Sequence, residues 1–267
     1  MKVYLAVWRM NFMNGLQYRA AAVAGLLTQI FFGFVFIMVY AAFYKSSSAK
    51  QPMNWQQVVS YVWLTQIFLS LIVFWVRNMQ LFQLITDGNL AYELTRPVAI
   101  YPLWYMRLLG ERMINALLRS VLIIPIVLFL PEKYRLQMPD STTHFLLFIV
   151  ALTISTLLVV AISMYIYISV FWTMNPTGSM LIIAIIAEFL AGLIIPVPLM
   201  PSWLQQLTYL LPFRFTADFP FRIYSGHIGI PEALIGVGIQ LLWLVFIVIT
   251  GYWLMKKALR QVVIQGG

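Results

Sequence analysis

The chain has 267 residues, of which 62% are hydrophobic, 16% aromatic and only 9% charged, and its mean hydropathy is +0.89. Soluble domains are roughly a quarter charged, and burial cannot hide so large an apolar excess, so the composition excludes a soluble globule and indicates an integral membrane protein. The net charge of +9 is dispersed along the chain and reads as a topology signal rather than a nucleic-acid surface, while the lack of cysteine removes disulfides, thiolate catalysis and thiolate metal sites.

The first segment, Met1 to Arg19, is no secretory signal, because Arg9 and Arg19 interrupt its apolar run and no small-residue cleavage site follows. Leu5, Trp8, Phe12 and Leu16 fall on one helical face, with Lys2, Arg9 and Asn11 elsewhere. That pattern predicts a helix lying in the membrane interface over 1–19. A hydrocarbon core of about 30 Å needs roughly 20 apolar residues of helix, and Ala20 to Tyr44 and Trp55 to Val76 supply the first two spans without a charge. A third runs from Leu108 to Leu130, although Arg112, Arg119 and Pro125 lie within it. Ser141 to Ala187 is 47 residues, too long for one crossing, and Asn175-Pro176-Thr177-Gly178 marks the fold-back between spans Phe145 to Trp172 and Gly178 to Ile195. The sixth span is Ala233 to Met255. Between the fifth and sixth, residues 196–226 carry Pro196, Pro198, Pro201, Pro212 and Pro220 among Trp203, Leu204, Leu207 and Leu210. Such spacing predicts short helices in a proline-broken, partly inserted hairpin at the outer face.

The expectation is therefore an all-α integral membrane protein, a single transmembrane domain over 1–267 with six transmembrane helices and both termini on one side. Placing Met1 to Arg19, Arg77 to Arg112 and Lys256 to Gly267 in the cytoplasm gathers ten of the 17 Lys and Arg there, including Arg77. Six fall on the opposite flanks, Lys50 and Arg222 among them, and the excess follows the positive-inside rule.

Catalytic chemistry is poorly supplied. Three Asp, five Glu and two His make up the whole inventory, and no His-Glu-x-x-His, Gly-x-Ser-x-Gly or phosphate-binding loop occurs. The chain reads as a non-enzyme with no metal or cofactor of its own. Glu188 is the one acid deep in an apolar span, where a carboxylate must be paired, protonated or facing water; it is a candidate for a substrate path or, equally, a residue that hydrogen-bonds a neighbouring helix or sits near the outer end of its span. Arg112, Asn115 and Arg119 share one helical face of the third span. Asn115 and Arg119, candidates for the substrate path with Glu188, are expected to face other helices, a water-filled path or a second subunit, and Arg112 to snorkel to the cytoplasmic surface.

Between the second and third spans lies DGNLAYELTRPVAIYP, Asp87 to Pro102. Asp87-Gly88-Asn89 is a turn signal, Leu90 to Thr95 suits a short helix, and Arg96-Pro97 stops it. Leu90 and Leu94 fall one turn apart as apolar anchors, with Glu93 and Arg96 as polar contacts. The pattern Gly88-x-Leu90-x-x-x-Leu94-x-Arg96-Pro97, together with Gly192, Pro196, Pro201-x-Trp203-Leu204 and Pro212-Phe213, resembles ABC transporter permeases of the second type, the class of drug, antibiotic and polysaccharide exporters. The length and the Ala-Tyr-Glu-Leu-x-Arg-Pro wording resemble a short six-span bacterial subgroup. The resemblance implies a cytoplasmic coupling helix within 80–101 that docks on a separate ABC ATPase, which would hold ATP and Mg. It also implies a second permease chain, identical or related, location in the bacterial cytoplasmic membrane, and export of an amphipathic cargo such as a drug, antibiotic, peptide or lipid. A secondary transporter or channel that uses no ATP is the alternative.

Overall fold

The computed structural model describes residues 2–16, 19–46, 51–75 and 78–261. Arg77 and Lys50, counted among the cations that set the topology, and Val76, expected to close the second span, lie outside the described residues, as does the side chain of Arg19. Every described element is helical. In an apolar medium only a helix meets its backbone hydrogen bonds within one segment, so any departure from helix needs partners from elsewhere in the bundle.

The centre is α8, Thr142–Thr173, started by the Ser141 side chain accepting the His144 N–H at 3.3 Å. Its middle, Leu158 to Met164, is buried on all sides. Around it pack α7 (Ile100–Leu128), α9 (Pro176–Leu190), α11 (Asp218–Tyr224) and, along most of its length, α12 (Ile230–Leu259). The chain turns from α8 into α9 at Met174, which has φ +49°, and Asn175, whose side chain accepts the Gly178 N–H, so Pro176 opens α9 where its missing N–H is harmless. Outside this core, α2 (Arg19–Ser46) lies on α3 (Trp55–Ile67) and α7. The close approach is Gly33, where a Cβ would come within 2.4 Å of the Trp63 ring. Helix α1 (Lys2–Gly15) crosses α7 at Gly110, where a Cβ would meet the Trp8 carbonyl at 2.7 Å.

Among the described residues three helical stretches are long and apolar enough to cross a membrane: Gly25–Ser46, Thr142–Thr173 and Ile230–Leu259. Helix α9 is apolar but shorter. Helix α7 has the length but carries Arg107, Glu111, Arg112 and Arg119. The stretch expected as the unbroken second span differs most. Helix α3 ends at Phe68, a four-residue helix α4 (Leu69–Ile72) follows, the chain is out of helical geometry at Val73 to Trp75, and α5 (Met79–Thr86) starts after Asn78. The N-terminal helix also presents a different face from the one expected. Tyr4, Val7 and Trp8 pack inward and Asn11 is buried, its amide bonded to the Val7 carbonyl at 2.8 Å, whereas Leu5 points outward.

Gly110 and Gly238 make a matched pair of sites, the second having open space around it. Gly110→Ala is expected to destabilise the protein by about 1–3 kcal/mol by lifting α1 from α7. Gly238→Ala should be neutral or slightly stabilising, and equal thermal midpoints for the two variants would refute the crossing.

Candidate functional site

The departure from helix after α4 frees carbonyls and N–H groups amid apolar side chains, and two charged residues satisfy them. Arg112 of α7 is only 1% exposed. Its guanidinium donates to the Val73 carbonyl at 2.7 Å, the Leu71 carbonyl at 3.2 Å and the Ser163 hydroxyl of α8 at 3.0 Å. A cation at the carbonyl end of a helix is the favoured arrangement. On the other side Glu188 of α9 accepts the Phe74 backbone N–H at 2.9 Å and the Trp75 indole N–H at 2.7 Å. The break resumes as helix at Asn78, whose N–H donates to the Tyr167 hydroxyl at 2.8 Å and whose side chain caps α5 by accepting the Leu81 N–H at 3.1 Å. The Asn78 amide also donates to Glu111, and Arg107 to Gln80. Arg112 therefore does not snorkel. The carbonyls freed by the break hold it inside, a demand that a continuous helix would not have made.

Beyond the break, α5 buries Leu81, Phe82 and Ile85 on α7 and α8. Gly88 turns the chain at φ +75° into α6 (Leu90–Leu94). Leu90 is 2% exposed, packed inward, and Glu93 accepts the Trp104 indole N–H at 2.6 Å, so both fasten α6 to α7. The outward face holds Tyr92 at 75% exposure with Leu94, Arg96 and Pro97. Leu90 and Leu94 thus divide between the inner and outer sides of this element.

At the opposite end of the bundle a second polar cluster sits in apolar surroundings. Asp218, fully buried, pairs with Arg222 at 3.3 Å and accepts the Val197 N–H at 3.1 Å, while the Tyr61 hydroxyl lies 3.3 Å away and donates to the Gly192 carbonyl at 2.9 Å. Gly192, at φ +81°, leaves that hydroxyl room, since a Cβ would lie 2.7 Å from it. Arg222 donates through Nε to His227 Nδ1 at 3.1 Å, and His227 Nε2 lies 3.1 Å from the Pro52 carbonyl, so a neutral ring protonated at Nε2 satisfies both. Gln240 of α12, also buried, donates to the Ala151 and Phe215 carbonyls and the Ser155 hydroxyl, each at 2.9 Å. Pro196 and Pro212 are buried within this region, whereas Pro201 and Trp203 lie on the exposed side of α10 (Ser202–Leu210).

Of the third-span candidates, Asn115 is half-buried and the half-buried Arg119 guanidinium lies beside Gly25 of α2. Glu188 and Arg112 are brought together across the break, but Arg119 is not part of that cluster. Asp218 and Arg222 carried a readable signal, opposite charges four residues apart in a helix. Tyr61, Tyr167 and Gln240 carried none, because an isolated polar side chain in an apolar run gives no hint of its partner. Among the described residues no group of three or more His, Asp and Glu is placed to hold a metal ion.

The family described as "ABC-2 family transporter protein" matches residues 29–266. No curated protein and no solved structure matches the chain.

Replacing Arg112 by Leu leaves carbonyls and the Glu188 charge without their cation and is expected to cost about 3–5 kcal/mol. Glu188→Gln keeps one acceptor and should cost about 1–3 kcal/mol. The two should combine to less than their sum in unfolding measurements, and strict additivity would separate them. Burial, and then the Arg222 guanidinium, lower the His227 pKa from its ordinary 6.5. The unfolded chain then binds more protons as pH falls below that value, so stability declines on acidification. Between about pH 7.5 and about pH 5.5 the thermal midpoint should fall further for the wild type than for His227→Gln, and identical profiles would exclude this residue.

Proposed function

The chain belongs to the ABC-2 transporter family, and from that premise we propose that it is the permease half of an ATP-driven exporter whose motor is a separate ABC ATPase. It is a membrane protein, and permeases of this family normally work with such an ATPase. In this reading the chain crosses the membrane six times, through α2, the α3–α4 pair, α7, α8, α9 and α12. Both termini and the α5–α6 element face the cytoplasm, and residues 196–226 form the outer hairpin. A second permease chain completes the path. ATP and Mg belong to the motor, since the sequence has no phosphate-binding loop.

The observation that carries the reading is the construction of 79–97. Leu90 and the Glu93–Trp104 bond fix α6 from within, leaving Tyr92, Leu94, Arg96 and Pro97 outward. A short helix with an aromatic anchor and a cation at its rim is suited to a groove on a partner protein. Movement imposed on α5 would reach the bundle through Asn78, Tyr167 and the Glu188 and Arg112 contacts. Asn115 and Arg119 are assigned to the path for an amphipathic substrate. Glu188 joins that path only where its bonds to Phe74 and Trp75 open.

Co-purification of the ATPase with tagged permease tests this. Tyr92→Ala combined with Arg96→Ala should weaken the complex by roughly tenfold or more without lowering the thermal midpoint. Undiminished recovery of the ATPase, or transport that persists without ATP, would overturn the assignment and favour a secondary transporter or channel.

A further inference from the structure

Helices α7 and α12 both pack on α8, and between them lies a cavity of about 380 Å³ lined by Tyr101, Tyr105, Met106, Val248, Ile249 and Tyr252 among others. None of its lining residues is charged. Ile249 and Tyr252 are exposed on its rim. Three features give the cavity a chemistry. First, its walls are apolar and sit where α7 begins and α12 ends, near one edge of the helical bundle. Second, Tyr101 is only 4% exposed, and its hydroxyl, set against Gly251 of α12, has no hydrogen-bond partner among the described residues. Packed on α12, that hydroxyl presents almost no polar surface to the cavity, so the wall is apolar there as well. Third, the same edge is basic. Lys256 Nζ lies 4.7 Å from the centre of the Tyr252 ring, itself part of the wall, and Lys257 and Arg260 follow on the exposed end of α12.

An apolar trough with a basic mouth at its edge matches the parts of a phospholipid in the same order, acyl chain and anionic headgroup. Basic pockets between transmembrane helices on the cytoplasmic side are a recognised form of anionic-lipid site. A second copy of this chain, which itself carries a net charge of +9, would bring like charge to the mouth. We propose that the groove between α7 and α12 binds one anionic phospholipid, its chain along Tyr105, Val248 and Ile249 and its headgroup at Lys256, Lys257 and Arg260. The assignment to the inner leaflet rests on the membrane orientation proposed above. Occupancy of the groove itself does not.

The test is lipid retention rather than transport. The purified full-length chain is equilibrated with vesicles of equal parts phosphatidylglycerol and phosphatidylcholine, and the lipid that stays bound after release is counted by native mass spectrometry. One phosphatidylglycerol should be retained in preference. Lys256→Gln with Lys257→Gln, both on the exposed side of α12, should reduce that preference by about tenfold or more. Val248→Trp, which fills the trough, should abolish retention of either lipid. Equal retention of the two lipids by the wild type would overturn the proposal. So would unchanged preference in the lysine pair, or displacement of lipid by a helix of a second permease chain. Failure of the ATPase to co-purify would count against the permease reading alone.

Discussion

Backbone that leaves helical geometry inside an apolar bundle must find hydrogen-bond partners in side chains, because neither water nor lipid supplies them at depth. The structure meets this demand after α4 with opposite charges from two different helices. Arg112 takes the carbonyls and Glu188 takes the N–H groups. Each charge would be expensive alone. Placed on either side of the same break, each meets groups of the sign that it needs, and the helices that carry them are drawn together. Ser163 and Tyr167 bring α8 into the same arrangement.

The position of the α5–α6 element depends on this joint. Helix α5 begins at Asn78, which is fastened to α8 and α7, and α6 is fastened in turn by Leu90 and Glu93. The other end of the bundle repeats the solution on a smaller scale. Short helices around Pro196 and Pro212 leave irregular backbone, and Asp218, Tyr61 and Gln240 accept or supply its hydrogen bonds, with Arg222 paired to Asp218. Glycine at 192 makes the space that the Tyr61 hydroxyl needs.

Much of the helical outline was legible from apolar run length and punctuation. The turn between α8 and α9 falls at Met174 and Asn175 beside the Asn-Pro-Thr-Gly signal, and the turn at Gly88 beside Asp-Gly-Asn. The break after α4 was not legible. Its sequence, Val73-Phe74-Trp75, is as apolar as a helix interior, and the residues that stabilise it lie about 40 and 115 positions away by their separations of 39 and 114. Local pattern carries no information about partners so distant. The burial of Arg112 was hidden for the same reason, since its spacing on α7 gave a face but not the carbonyls awaiting it. The outward and inward sides of α6 were likewise hidden, because the Glu93 partner, Trp104, belongs to the next helix.

The central place of the break requires an ordered joint rather than a loose loop, and amide hydrogen exchange addresses that directly. Phe74 and Asn78 lack helical acceptors but donate to Glu188 and the Tyr167 hydroxyl. Their amides should therefore exchange as slowly as those of α3, and far more slowly than the exposed turn at Gly88. Exchange at the rate of that turn would show the joint to be open and would contradict its central role.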